Sequence, residues 1–139
     1  MKSVLILCTG NSARSQMAEG LLKSLTAGKF EVESAGTKPS VVRPEAIAAL
    51  AEIGIDISGN RSKSVAEFSS RGFDYVLTVC DNAKENCPYF QAQTKVVHRS
   101  FDDPADAVGD FDSRVAEFRR VRDQIRDYFE SEFIALISK

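Results

Sequence analysis

Residues 4–15 read VLILCTGNSARS, an apolar run that ends in a cysteine and is followed by a short polar loop. A run of aliphatic residues bounded by a glycine-containing loop is typical of a strand buried on both faces. Further along, apolar residues recur at helical spacing: Met17, Ala18, Leu21, Leu22 and Leu25. We therefore predict a strand over 3–8, a helix over 14–26 and, between them, a loop that starts at Cys8.

The loop combines a thiol, a guanidinium and a helix N-terminus. Cys8 and Arg14 are six positions apart across it. Unpaired backbone N–H groups and the positive end of the helix dipole attract anions there and favour a deprotonated thiol. Arg14 can bind two oxygens of a tetrahedral oxyanion at once, and Gly10 allows a tight turn without a Cβ clash. The pattern predicts a thiolate that attacks an oxyanion, against the alternative that Cys8 is only a small core residue.

Length and composition limit the classes of function. The chain has 139 residues, 43% of them hydrophobic, which is typical of one domain, and we predict a single domain over 1–139. A net charge of -2 provides no basic field for nucleic acid or an anionic membrane. No apolar run approaches the ~20 residues that span a bilayer, and the N-terminal apolar segment is too short for a signal peptide. We expect a cytoplasmic monomer with no nucleic-acid or membrane partner.

The cysteines point to reactive thiols. Cys8, Cys80 and Cys87 are an odd number in a chain without an export signal, so we do not expect a structural disulfide framework. Zinc normally takes four ligands, but the chain has one histidine, His98, and no Cys-x-x-Cys pair. We therefore predict no metal site and no cofactor, and we interpret His98 as a packing or capping residue.

The rest of the chain alternates between strand and helix patterns. We predict a strand over 30–34, a helix from Pro44 that stops at Gly54, a short helix over 64–70, strands over 74–80 and 95–98, and a last helix over 110–137. The strand over 74–80 ends in Cys80, so Cys8 and Cys80 should meet where the carboxyl ends of parallel strands lie. The predicted fold is an α/β three-layer sandwich around a four-stranded, mainly parallel sheet.

These motifs carry a resemblance to a known family. Cys8-x5-Arg14-Ser15 at the first strand-helix junction, with Asp103-Pro104 late in the chain, resembles the low-molecular-weight tyrosine phosphatase superfamily. Within it, the chain is similar to the thioredoxin-coupled arsenate reductases in three features: Asn11-Ser12-x-Arg14-Ser15-Gln16-Met17-Ala18-Glu19, the Cys80 and Cys87 pair, and Phe101-Asp102-Asp103-Pro104. The resemblance covers nearly the whole length and implies the fold of that superfamily.

The resemblance implies a relay of three thiols that acts on arsenate or a phosphate-like oxyanion. Cys8 attacks arsenic, Ser15 hydrogen-bonds the Cys8 sulfur, and Asp103 donates a proton to the leaving oxygen. Cys80 then attacks Cys8 and arsenite is released, after which Cys87 attacks Cys80 and thioredoxin, as the expected reductant, reduces the last disulfide. The oxyanion is held by the loop residues Thr9, Gly10, Asn11, Ser12, Ala13 and Arg14.

Other functions remain open at this point. A phosphatase needs only the first thiol, the arginine and the acid, so Cys80 and Cys87 favour the reductase. The aromatic residue that follows Asp-Pro in the phosphatases is Ala105 here, which argues against stacking on phosphotyrosine. A redox-sensing module without catalysis is a third alternative, and glutaredoxin or a small thiol could replace thioredoxin. Asp102 beside Asp103 could hold one of the two carboxyl groups protonated.

One departure from the family concerns a cation. Some members bind potassium through an asparagine, a glutamate, a serine and an aspartate. Asn11, Glu19 and Ser34 match the first three, but the aspartate position is Lys63. An ammonium group there can replace the cation electrostatically, so we predict no potassium dependence.

Overall fold

Four parallel strands form the sheet, close to where the apolar runs predict them. The computed structural model describes residues 1–80, 92, 93 and 95–139, and its strands are β1 Lys2–Cys8, β2 Phe30–Gly36, β3 Tyr75–Thr78 and β4 Lys95–His98. Their order is β2-β1-β3-β4, and every neighbouring pair is parallel. β1 is buried from its second residue onward, whereas β4 is a largely exposed edge. The predicted four-stranded parallel sheet is confirmed.

Helices follow most of the predicted segments. They are α1 Arg14–Leu25, α2 Pro44–Ala51, α3 Phe111–Tyr128 and α4 Ile134–Ile137. Pro44 occupies the first turn of α2, and Gly54 has a φ of 81° just past its end, a conformation that favours glycine. Within the described part of the chain, no helix has both the length and the apolar character that crossing a membrane requires.

The structure corrects four predicted boundaries. The helix predicted over 64–70 is a short 3-10 turn, Val65–Phe68, which Ser64 and Glu67 close at its start with reciprocal hydrogen bonds. β3 ends at Thr78, before Cys80, and β2 continues to Gly36 because its last residues still pair with β1. The last helix is interrupted by one π-helical turn, Phe129–Phe133, whose two buried phenylalanine rings pack 5.5 Å apart.

The sheet separates two apolar cores, which gives the molecule its layers. On one face, α1 packs against β1 and β2, and α2 and α3 pack against α1 and against each other. The core on this face includes alternate strand residues, among them Val4, Ile6 and Leu77. On the other face, a smaller core comprises Leu5, Leu7, Ala35, Phe68, Phe73 and Val76. The second face is covered by the Val65–Phe68 turn, and the predicted three-layer α/β fold is confirmed.

The strand order places a crevice beside β1. The chain runs from β1 to β2 on one side of β1 and then crosses to β3 on the other side. Ligands of such sheets bind outside the carboxyl ends of the strands at this switch point. Leu7 pairs with Thr78, and the Val79 N–H donates to the Leu7 carbonyl at 2.9 Å. Cys8 follows Leu7 and Cys80 follows Val79, so the two cysteines lie at the same edge of the sheet, as the sequence predicts.

Candidate active site

Cys8 is the last residue of β1, and it is a free thiol with only 2% of its surface exposed. Two polar groups lie close to its sulfur. Ser15 Oγ is 2.8 Å from Cys8 Sγ, and the Asn11 N–H donates to Sγ at 3.2 Å. Hydrogen bonds to a sulfur favour its charged form, because the thiolate is the stronger acceptor. The strand therefore delivers a sulfur to a loop that is suited to a thiolate.

The loop after Cys8 turns its carbonyl groups outward. They accept hydrogen bonds from the segment that follows β2: Thr9 O from Lys38 N at 2.9 Å, Gly10 O from Ser40 N at 3.3 Å and Ser12 O from Arg43 N at 2.9 Å. Ser62 Oγ donates to the Gly10 carbonyl as well, at 2.9 Å. In a trans peptide the N–H group points opposite to the carbonyl. The N–H groups of these peptides consequently line the inside of the loop, where an oxyanion can accept from them.

The start of α1 completes this anion site. Its N-cap, Ala13, has no side-chain oxygen to bind the first N–H groups, and the first turn contains no acidic residue. The N–H groups at this end of α1 and the positive end of the helix dipole therefore favour an anion.

The left-handed position of the loop is Asn11 rather than Gly10. Asn11 has a φ of 48°, which is unfavourable for most residues that carry a side chain, and it is fully buried. A Cβ at Gly10 would lie 3.2 Å from Ser12 Oγ, so a small residue is still favoured there. Gly36, at the end of β2, is required for another reason: a Cβ at this position would collide with the Thr9 carbonyl. The loop thus rests directly on the backbone of β2.

Arg14 extends from the first residue of α1 toward the acid loop, and it is 3% exposed. One of its amino groups donates to the Phe101 carbonyl at 3.3 Å, and the other lies 3.5 Å from Asp103 Oδ2. Asp103 Oδ1 accepts from the Ala105 N–H at 3.0 Å, at the start of the 3-10 turn Pro104–Asp106. These contacts bring the guanidinium and one carboxyl group together beside the thiol loop.

The two adjacent aspartates have different partners. Asp102 Oδ2 lies 3.2 Å from an amino group of Arg120, and the Asp102 side chain is 74% exposed. Asp103 faces Arg14 instead. The expected sharing of a proton between the two carboxyl groups therefore has no support in the geometry, since each carboxylate is bound to its own arginine.

A chain of hydrogen bonds runs from the thiol loop to Lys63. Asn11 Nδ2 donates to Ser34 Oγ at 2.9 Å, and Ser34 Oγ donates to Glu19 Oε1 at 2.6 Å. Lys63 Nζ lies 3.3 Å from Glu19 Oε1 and 2.8 Å from Glu33 Oε1. The ammonium group thus contacts Glu19, one of the three residues that match the potassium ligands of the family, and Glu33. Among the described residues, no cluster of three or more histidine, cysteine or acidic side chains is arranged to hold a metal.

Cys80 is fully buried at the end of the β3 segment and is disulfide-bonded. Cys87, the third predicted thiol, lies outside the described residues. His98, at the end of β4, has its Nδ1 2.6 Å from Thr78 Oγ1, which fits the predicted packing role. The contact of Arg14 with the Phe101 carbonyl could not be predicted from the motifs, because any residue type provides a backbone acceptor.

A parallel α/β sheet with a buried thiol, an arginine and an amide-lined loop at its switch point is the architecture of cysteine-dependent oxyanion enzymes. The chain belongs to the low molecular weight phosphotyrosine protein phosphatase family, whose model matches residues 3–138. The resemblance derived from the motifs is confirmed.

Three individual relatives of this chain are arsenate reductases. The chain is 44% identical over 124 residues to an arsenate reductase of Halalkalibacterium halodurans, with 89% of each chain covered. It is also similar to a solved structure of an arsenate reductase in the phosphate binding state, with a TM-score of 0.77 and 37% identity over 94% of this chain and 95% of that one. A third relative is the thioredoxin-dependent arsenate reductase of Corynebacterium glutamicum, with a TM-score of 0.66 and 25% identity over 97% of this chain and 63% of that one.

Proposed function

We propose that this chain is an arsenate reductase, which converts arsenate to arsenite. The observation that carries the proposal is the pair of cysteines at one edge of the sheet. Cys8 is a free thiol in the oxyanion loop after β1, and Cys80 follows the neighbouring strand β3. The arsenate reductases among the relatives support the same assignment.

In the first step, the Cys8 thiolate attacks the arsenic of bound arsenate. The loop N–H groups and Arg14 hold the oxygens, and Asp103 gives a proton to an arsenate hydroxyl, which leaves as water. A sulfur-arsenic bond forms and an arsenic-oxygen bond breaks, so arsenic keeps its oxidation state. The position of Asp103 Oδ2, 3.5 Å from Arg14, supports this role because both groups then reach the same oxyanion.

In the second step, the Cys80 thiolate attacks the Cys8 sulfur. The sulfur-arsenic bond breaks with its electron pair on arsenic, which is released as arsenite, and a disulfide joins Cys8 to Cys80. Neighbouring strands of a sheet lie about 4.8 Å apart, which supports a short approach between the two residues.

In the third step, Cys87 attacks Cys80, which frees the Cys8 thiolate and leaves a disulfide between Cys80 and Cys87. Cys87 lies outside the described residues, so its part rests on the motif. A Cys8 that is free while Cys80 is disulfide-bonded supports this order of steps.

We further propose that thioredoxin reduces the last disulfide and that the protein acts as a cytoplasmic monomer with one domain over 1–139. The thioredoxin-dependent relative from Corynebacterium glutamicum supports the choice of reductant. A thiol relay needs a reducing compartment, which supports the cytoplasm.

The proposal is tested by arsenate-dependent NADPH consumption in the presence of thioredoxin and thioredoxin reductase. The native protein should consume NADPH over many turnovers, whereas Cys80→Ser and Cys87→Ser should not. Hydrolysis of p-nitrophenyl phosphate serves as the control, because it needs only the Cys8 loop and should survive both substitutions. NADPH consumption that does not rise above the arsenate-free rate would contradict the proposal.

A phosphatase is the second candidate, favoured by the family and by the complete set of Cys8, Arg14 and Asp103. A phosphoenzyme on Cys8 is hydrolysed by water and needs no second thiol. If aryl phosphate turnover is rapid and arsenate gives no NADPH consumption, this second function replaces the first.

A further inference from the structure

Gln16, on the first turn of α1, is fully buried, and its side-chain amide is bonded on both sides. Its Nε2 lies within hydrogen-bond distance of three oxygens: Asn11 Oδ1 at 3.0 Å, Asn11 O at 3.3 Å and Arg61 O at 3.0 Å. Its Oε1 accepts from Asn60 Nδ2 at 3.1 Å. The amide therefore joins the oxyanion loop to the Asn60 side chain and the Arg61 carbonyl, and none of the motif-based roles uses it.

Two of these contacts go to the one strained residue of the loop. Asn11 has a φ of 48°, a left-handed conformation that a residue with a side chain adopts only when its surroundings hold it. Gln16 Nε2 donates to both the backbone carbonyl and the side-chain oxygen of Asn11. It is thus placed to stabilise the left-handed backbone and to fix the rotation of the Asn11 amide.

The orientation of the Asn11 amide then determines the direction of the Ser15 hydroxyl. Asn11 Oδ1 accepts from the Lys63 backbone N–H at 2.8 Å, and a backbone N–H can only donate. Asn11 Nδ2 is therefore on the side of Ser15, where it donates to Ser15 Oγ at 2.8 Å. With this acceptor position of Oγ occupied, the Ser15 hydrogen is available to point at the Cys8 sulfur, 2.8 Å away.

We propose that Gln16 is a positioning residue for the Cys8 thiolate. It acts through Asn11 and Ser15. Gln16 holds the Asn11 side-chain amide, which orients the Ser15 hydroxyl, and this hydroxyl stabilises the charged Cys8 sulfur. The inference rests on the proposed function in one respect, namely that Cys8 is the nucleophile.

Four charged side chains lie around this connection. Arg14 and Asp103 contact each other beside the loop, and Glu19 and Lys63 lie beyond Ser34. Glu19 is also 3.4 Å from Asn60 Nδ2, the group that donates to Gln16. Replacing Gln16 by an uncharged residue changes none of these charges. A shift in the Cys8 titration would therefore report the hydrogen-bond connection.

The first test uses the native, reduced protein. Labelling cysteine with ¹³C gives a Cβ resonance for Cys8, assigned by its loss in Cys8→Ser, whose chemical shift follows thiolate formation with pH. The side-chain amide protons of Gln16 should show an inflection at the same pH, because the amide is bonded to the loop that the charge reorganises. A flat Gln16 response across the Cys8 transition overturns the proposal, and this test needs no variant at Gln16 to fold.

The second test compares a variant on α1 with one at Thr26, just past its end. Gln16→Met keeps the side-chain length and removes both hydrogen-bonding groups, so the Cys8 transition should move up by about one pH unit, a tenfold loss of thiolate below the midpoint. Thr26→Val is the matched control: Thr26 is also buried, and its hydroxyl donates to the Leu22 carbonyl at 2.7 Å.

Thr26→Val should lower the Tm and leave the Cys8 transition in place. If Gln16→Met also lowers the Tm but leaves the transition unmoved, Gln16 has a structural role only and the proposal fails. Both tests read the state of Cys8 without arsenate. A protein that reduces no arsenate would therefore refute the proposed function while still deciding the role of Gln16.

Discussion

Ser15 Oγ lies 2.8 Å from Cys8 Sγ and connects the last residue of β1 to the first turn of α1. The hydroxyl and the thiol are both buried, so water does not compete for the contact. A hydrogen bond to a charged group in such surroundings is stronger than one between neutral groups.

Replacing Ser15 by alanine should therefore reduce activity most strongly at low pH, where the thiolate is least populated. We expect Ser15→Ala to lower kcat/KM for arsenate about tenfold at pH 6, with a smaller loss at pH 9. Ser24→Ala, at an exposed position of the same helix, serves as the control and should behave like the native protein. An equal loss at both pH values would argue against a role in stabilising the thiolate.

The neighbouring aspartates should differ sharply in their effects. Asp103→Asn removes the carboxyl group next to Arg14 and should lower kcat about a hundredfold with little change in KM, as expected for a general acid. Asp102→Asn affects an exposed carboxylate bound to Arg120 and should leave both constants nearly unchanged. Steady-state measurements of kcat and KM for the two variants test this expectation. A similar loss of kcat in both variants would favour a proton shared by the two carboxyl groups, which the geometry does not support.

Activity should not depend on the choice of monovalent cation. The Lys63 ammonium contacts Glu19 and Glu33 and so supplies the positive charge that potassium would otherwise provide. Rates and Tm values measured in sodium and in potassium chloride at equal ionic strength should agree. Clear stimulation by potassium would show that a cation binds despite Lys63.

The junction of α2 and α3 should contribute a pH-dependent part of the stability. A hydrogen bond from Arg119, assisted by Arg122, lowers the pKa of Glu52 from 4.5 to about 2. A lowered carboxyl pKa stabilises the folded state above pH 4.5, and this contribution is lost as the pH falls toward 2. Since Glu52 is partly exposed, we expect Glu52→Gln to reduce the free energy of unfolding at pH 7 by about 1 kcal/mol at most.

Urea unfolding at pH 7 and pH 3 checks this expectation. The difference between Glu52→Gln and the native protein should shrink at pH 3, and Glu132→Gln, at another exposed glutamate, should show little effect at either pH. A difference that stays constant between the two pH values would show that the carboxylate charge is not its source.

The sequence predicts the β1, loop and α1 unit well because its signals are local. The apolar run, the polar loop and the helical spacing place the first residue of α1 at Arg14, where the structure has it. The π-helical turn at Phe129–Phe133 is not predictable in this way, since its apolar residues also fit an ordinary helical period.

Long-range contacts explain what the sequence did not reveal about the site. The Arg14 partner at Phe101 and the Gln16 partner at Arg61 are backbone carbonyls, which any residue type provides. The pairing expected between Asp102 and Asp103 failed for a local reason. The backbone is extended at Asp103, with a φ of -83° and a ψ of 108°, and successive side chains of an extended segment point to opposite sides.

The outward-facing carbonyl groups of the oxyanion loop bear on which substitutions the protein can tolerate. Three of them are held by the backbone N–H groups of Lys38, Ser40 and Arg43, which every amino acid except proline can supply. Side-chain diversity at these three positions should therefore be compatible with an intact site. A proline at Lys38 or Arg43 would release a carbonyl of a loop to which neither residue belongs, and would damage anion recognition without altering a group that touches the anion. The Gly10 carbonyl, opposite Ser40, would keep its second donor, Ser62 Oγ.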